Sequence, residues 1–307
     1  MKVFDGHCDT IYKCASGDAP LFSNPNGQWD LDRSLQFEGF AQFFALFSPQ
    51  IENATQVCNL QYRFFQEQLK KNEPYVTLCR NAAQAQQAMS LGKTAAFLSL
   101  EGAELIDCNP KKLECAYTAG VRMINLTWNH ANRLSGSAMQ DPTRGLSEEG
   151  IAFVLKMEEL GILVDVSHLS DPGFWDVVSI SKNPIVASHS NARALCFHPR
   201  NLTDQQISAI IHSGGVIGLN FYTEFLGRRA DLSTIAKHLK HIQKLGGEDH
   251  VALGSDFDGC DSLPKELSSG VLGLPNLYNC LEKQKFNELQ KLFFTNLMRV
   301  VNDVCTM

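Results

Sequence analysis

The side chains of this 307-residue sequence best suited to holding a cation are His7 and Asp9, Glu101, His168, His189, Asp256 and Asp258, and each follows closely on a short apolar run. Imidazole nitrogen and carboxylate oxygen are, beside thiolate, the usual ligands of zinc. Three His and two carboxylates (His7, Asp9, Glu101, His168, His189) make five ligands, a number that two ions sharing Glu101 would explain. Water between such ions loses a proton near neutral pH, its pKa falling to about 7 in favourable sites, which supplies a nucleophile without Ser or Cys. Asp256 in Gly254-Ser255-Asp256-Phe257-Asp258-Gly259 is then placed to handle that proton as a general base. Each residue also has a plain structural reading. His7-x-Asp9 could cap a strand, Glu101 could be salt-bridged, His168 and His189 could be hydrogen-bonded core histidines, and Asp256 could only orient its loop. Their joint recurrence at strand ends weakens that alternative, because an ionised carboxylate leaving the buried run Ala95 to Leu100 is costly without a partner.

The elements that must position these residues alternate. Eight strand candidates, Val3 to Phe4, Ala41 to Phe47, Thr94 to Leu100, Arg122 to Thr127, Ile162 to Val166, Ile185 to Ala187, Val216 to Asn220 and Val251 to Leu253, are separated by stretches of helical spacing. Most are continuous apolar runs, as parallel strands covered on both faces must be. Ser147, Ser170 and the capping box Thr203-Asp204-Gln205-Gln206 mark helix starts. Gly92, Gly120, Gly161, Gly214 and Gly246 mark helix ends ahead of the next strand. The expectation is a single (β/α)8 barrel domain over residues 1–307, with the metal site at the C-terminal ends of its strands, where barrel enzymes build their sites. Asn279 is a candidate N-cap for a long amphipathic terminal helix through Leu281, Phe286, Leu289, Phe293, Leu297 and Val300, expected on the barrel's outside. Ser23 to Trp29 and Leu263 to Leu277 are expected to be long loops.

Composition narrows the partners. With 27 basic against 33 acidic residues and a net charge of −6, the chain lacks the basic excess that binds nucleic acid or anionic lipid. No stretch reads as a signal peptide or membrane span, and the ten cysteines form no CxxC pair, so a cytoplasmic protein with free thiols is expected.

The segments Asp5-Gly6-His7-Cys8-Asp9, Leu100-Glu101-Gly102, Asn125-Leu126-Thr127, Val164-Asp165-Val166-Ser167-His168, Ser188-His189-Ser190-Asn191-Ala192, Pro199-Arg200-Asn201-Leu202 and Gly254 to Gly259 together resemble the membrane (renal) dipeptidase family of the amidohydrolase superfamily, over nearly the whole chain. The resemblance implies a binuclear zinc dipeptidase in which His7, Asp9 and bridging Glu101 hold one ion and Glu101, His168 and His189 the other. It makes Asp256 the catalytic acid/base, with Glu101 beside it in the catalytic set. Arg200 resembles the arginine that grips the substrate's terminal carboxylate through its planar fork. Tyr222 is expected in the same pocket. Where renal enzymes place a substrate-binding His, this chain has Trp128, with His130 two residues later. The expectation is that Trp128 shapes the pocket and His130 replaces the donor, since alternate residues of a continuing strand share a face. The family also implies a homodimer, and leaves room for a D-configured second residue. Two other readings stand beside this one: an amidohydrolase acting on N-acyl amino acids or lactones, and a barrel that binds metal or peptide without turnover.

Overall fold

The computed structural model describes residues 1–17 and 19–306. Among these residues nine parallel strands form one sheet: β1 (Lys2–Cys8), β2 (Gly39–Phe47), β3 (Val76–Leu78), β4 (Thr94–Glu101), β5 (Val121–Asn125), β6 (Leu163–Asp165), β7 (Val186–Ala187), β8 (Val216–Leu219) and β9 (Val251–Leu253). Direct pairing of β2 with β4, from Ala41↔Ala95 to Phe47↔Glu101, closes eight of them into a barrel in the order β2, β1, β9, β8, β7, β6, β5, β4. The ninth, β3, is the strand that sequence reasoning passes over. Its three residues pair only with the first half of β4 before β5 takes over that edge at Leu98, so they never needed an apolar run.

The helix signals act as expected. Ser147 and Ser170 accept from the amides of Gly150 and Gly173, and Thr203 and Gln206 form a reciprocal capping box. Helices Leu113–Ala119 and Glu148–Leu160 end on Gly120 (φ 109°) and Gly161 (φ 70°), a backbone region in which a Cβ is strained. Asn279 is not a cap: it lies within helix Leu274–Lys283. The chain then breaks, with Lys285 and Glu288 at φ 62° and 51°, before a second helix that reaches Val304. Leu263 to Leu277 is not a plain loop either, since it holds two 3-10 turns and the start of helix Leu274–Lys283.

Alternation along the strands separates two apolar layers. Val3, Phe40, Leu98, Ile124, Val164, Ile217 and Leu253 face the surrounding helices. Phe4, Phe43, Phe97, Met123, Leu163, Val186, Val216 and Ala252 face the lumen. The rings of Phe4, Phe43 and Phe97 stack at 5.1–5.7 Å. Phe294, Leu297, Met298 and Val301 of the terminal helix join this lumen cluster, which corrects the expectation that the helix packs outside. It stoppers the end of the barrel opposite the candidate site. Above the ring stack the lumen narrows to a point where a Cβ on Gly218 or Gly254 would lie 1.9 Å from the Ser188 carbonyl oxygen. Among the described residues no helix is long and apolar enough to cross a membrane.

Candidate active site

The strands deliver their polar residues to one mouth. His7 is the second-to-last residue of β1, Glu101 ends β4, His168 follows β6, His189 follows β7 and Asp256 follows β9. Glu101 Oε1 lies 2.9 Å from His168 Nε2, 3.4 Å from His189 Nε2 and 3.6 Å from His7 Nε2. His7 Nε2 is also 3.4 Å from Asp9 Oδ2 and 4.0 Å from Asp256 Oδ1. Ligating atoms of His7, Glu101 and His189, and of His7, Asp9 and Asp256, fall within 4.8 Å of one another. These trios cut across the two sets the resemblance implies, yet they draw on the same residues plus Asp256.

A cation fits this cluster. Both ring nitrogens of His7 and Oδ1 of Asp9 are buried without a hydrogen-bond partner, a rare and costly condition in a folded protein. His168 Nδ1 donates to Asn129 Oδ1 at 2.9 Å, so its Nε2 carries a lone pair. That lone pair faces His189 Nε2 at 2.9 Å and the Glu101 carboxylate, an arrangement of electron-rich atoms that a positive charge would relieve. Burial, reinforced by Arg200 and His7, holds His168 and His189 far below the usual imidazole pKa, in the neutral form a metal ligand needs. At His7 burial also opposes charge, but Glu101, Asp9 and Asp256 outweigh it and push the ring up to about 10. Burial and neighbouring Asp9 raise Glu101. Asp256, also raised by burial, reaches about 6, with His7 pulling the other way.

The surrounding structure holds these groups in place. His168, Asp256 and Asp258 take φ of 71°, 61° and 67°, left-handed conformations that cost a non-glycine residue about 1–3 kcal/mol each and persist only where neighbours impose them. Here Asp5 accepts from the Ser255 amide (2.8 Å) and hydroxyl (2.6 Å) and from Gln42 (2.9 Å), while Asn220 donates to Asp256 Oδ2 at 3.0 Å. Asp258 serves as an anchor: its carboxylate accepts from Thr10 (2.7 Å), the Gln28 amide (2.7 Å) and Lys13 (3.1 Å), tying the 23–29 loop to the last strand.

Arg200 is 4% exposed, and its Nε and Nη2 have no hydrogen-bond partner. Its guanidinium lies 5.6 Å over the Phe225 ring. Burial pushes it down to about 10 against the pull of Asp256, Glu101 and Asp165. Its loop is fastened by the bidentate Arg193–Asp171 pair (2.7 and 2.8 Å), by Asn201 donating to Phe225 O at 2.9 Å, and by the Ala192 amide donating to His238 Nδ1 at 3.1 Å.

These residues line a cavity of about 300 Å³ together with Tyr12, Phe47, Pro49, Trp128, Asn129, Tyr222 and Phe225. His7 lies just beneath it. His130 is not brought in. β5 stops at Asn125, so the alternation that would have aimed His130 inward does not extend to it. Its ring packs against Trp128 at 5.3 Å and its Nε2 meets Pro49 O at 3.2 Å. Asn129, Asn220, Pro49 and the aromatic residues Tyr12, Phe47 and Phe225 are among the lining or orienting residues that sequence reasoning missed. Asn220, an inward position at the end of a recognised strand, was findable by the rule that found the histidines; Asn129, in a loop, was not.

Over residues 1–307 the sequence matches the membrane dipeptidase family, peptidase family M19. An uncharacterized Klebsiella pneumoniae protein from the pqqA 5′ region is 43% identical over 241 residues, 74% of this chain and 88% of that one. A Rhodobacter sphaeroides metallo peptidase, solved with a phosphinate mimic of L-Ala-D-Ala, superposes over 99% of both chains with a TM-score of 0.92 and 28% identity. A dipeptidase of family M19, also a metallo peptidase, superposes over 100% of this chain and 99% of its own with a TM-score of 0.93 and 29% identity. A closed parallel barrel with convergent imidazoles and carboxylates at one mouth, and a family match along its full length, lead to one assignment: the chain belongs to the membrane dipeptidase family M19 and is a metallo-dipeptidase, a hydrolase.

Proposed function

We propose that this dipeptidase works with two zinc ions, His7, Asp9 and Glu101 holding one and Glu101, His168 and His189 the other, and that it accepts a D-configured C-terminal residue. The mixed imidazole and carboxylate donor set suits zinc. When bound, the ions supply Lewis acidity toward a carbonyl and make water acidic enough to attack near neutral pH. The observation that carries the substrate assignment is Arg200, a buried guanidinium with two unpartnered nitrogens facing the same cavity as the ligand cluster. An anion is what such a fork needs, and a dipeptide's terminal carboxylate supplies one. Asp256, its carboxyl raised to about 6 and Oδ2 steadied by Asn220, takes a proton from attacking water and passes it to the departing amine as the C–N bond breaks. Tyr222 and Trp128 border the bound molecule; His130 stays behind the wall. A relative solved with an L-Ala-D-Ala mimic supports tolerance of a D-residue next to the carboxylate.

N-acyl amino acids share that carboxylate and are the nearest competing substrates; lactones lack it. All ten cysteines are free, seven of them buried, which fits a reducing, cytoplasmic setting. Elemental analysis of the purified protein, combined with a panel of L,L- and L,D-dipeptides, N-acyl amino acids and lactones, tests the proposal. Two zinc equivalents and chelator-sensitive hydrolysis of both dipeptide classes are expected. A single ion, or preferred turnover of lactones, would overturn it.

A further inference from the structure

We propose that Tyr12, Phe47 and Trp128 form a subsite for a bulky apolar side chain on the first residue of the substrate, and that Trp128 sets this preference. The inference rests on the dipeptide reading, with the carboxylate on Arg200. The three rings form a continuous wall. Phe47 meets Trp128 edge to face at 4.7 Å and Tyr12 at 5.1 Å. Barrel order places the wall: β2, which ends in Phe47, stands four strands from β7, whose following loop carries Arg200, and so lies directly across the eight-stranded mouth. Tyr12 follows β1, next to β2; Trp128 follows β5, midway between β2 and β7, and its ring reaches the β2 side through its contact with Phe47, whereas Tyr222 and Phe225 follow β8 on the Arg200 side. Between the two halves sits the ligand cluster, and Phe47 is in register with Glu101.

A dipeptide held by its carboxylate at Arg200, with its amide at the cluster, therefore extends its first residue toward the aromatic wall. Pro49 completes that wall, and His130 braces it from behind, with its ring on Trp128 and Nε2 on Pro49 O. Phe47 is 8% exposed and forms the floor, while half-buried Trp128 forms the rim that an incoming side chain covers. Apart from the cluster residues Asp9 and Glu101 and the carboxylate of Asp258, which is taken up by Thr10, Gln28 and Lys13, the lining residues on this side are uncharged, with no free side-chain charge set aside for Lys, Arg, Asp or Glu. Burying an apolar side chain against such rings favours Leu or Phe over Gly.

The test is kcat/KM of the zinc-loaded enzyme on two series, one varying the first residue (Gly-Gly, Ala-Gly, Leu-Gly, Phe-Gly) and one the second (Gly-Ala, Gly-Leu, Gly-Phe). Wild type is expected to favour Leu-Gly and Phe-Gly over Gly-Gly by about tenfold or more. Trp128→Ala is expected to flatten the first series while leaving the ratios within the second series in place. Trp128→Leu, apolar but smaller and gentler on folding, is expected to fall between. A flat first series in wild type, or a Trp128→Ala enzyme that loses the same factor on every substrate, would overturn the subsite while the dipeptidase reading stands. No hydrolysis of any dipeptide would bring down that reading and this one with it.

Discussion

Replacing Arg200 by Met separates binding from folding, because the two respond in opposite directions. Burial pushes the guanidinium well down, to about 10, so keeping it charged in the fold costs about 3 kcal/mol at 1.36 kcal/mol per unit. Methionine fills a similar space without charge, so Arg200→Met is expected to stabilise the protein by about 1–3 kcal/mol. At 2–4 °C per kcal/mol for a chain of this size or somewhat smaller, Tm rises by roughly 2–12 °C. Binding moves the other way. A desolvated guanidinium paired with a carboxylate contributes about 2–5 kcal/mol, so kcat/KM for a dipeptide is expected to fall about 30- to 5,000-fold. The decisive comparison is a dipeptide amide, whose terminus carries no charge. Wild type is expected to discriminate against the amide by a similar factor, and Arg200→Met to lose that discrimination, closing a double-mutant cycle between protein and substrate. Steady-state kinetics on both substrates and thermal unfolding with and without zinc measure every term. If the variant loses the same factor on acid and amide while Tm falls, Arg200 supports the loop and does not grip the carboxylate.

Three further outcomes are expected. His238 is held down to about 4 by burial, which outweighs its bond to the Leu226 carbonyl. A folded-state pKa below the unfolded 6.5 gives stability that is complete above pH 6.5 and lost as pH falls toward 4, here about 3 kcal/mol; His238→Asn should flatten that part of the urea-unfolding profile, and an unchanged profile would refute the assignment. Asn129→Leu removes the acceptor that fixes the His168 tautomer and should weaken zinc binding by about 10–100-fold in a chelator competition, with Tm of the metal-free protein little changed. Gly254→Ala places a Cβ 1.9 Å from Ser188 O and should destabilise the fold by about 3 kcal/mol or more in thermal unfolding, whereas a near-neutral result would mean that the narrow lumen relaxes.

The barrel and the convergence of imidazoles and carboxylates at its mouth are legible in the sequence because both follow from local patterns. A buried parallel strand is a run of apolar residues, and a carboxylate or imidazole at the end of such a run stands out as costly, as Glu101 after Leu100 and His189 after Ala187 do. What escaped depends on partners distant in the chain. β3 exists only because β4 offers an open edge, and Phe47 counts as a wall residue only because barrel closure brings Tyr12 and Trp128 beside it. His130 shows the limit of extending a local period past its element: reaching it takes three residues of alternation beyond Thr127, and β5 ends at Asn125. The terminal helix was recognised by its amphipathic spacing, but spacing does not say which apolar surface it will cover, and it chose the lumen.

The glycine-lined narrowing around the Ser188 carbonyl, with stacked phenyl rings and a helical stopper below it, makes the site a blind pocket. Traffic is then two-way through a single door. The amine fragment and the acid fragment must both back out along the path by which the intact molecule came in.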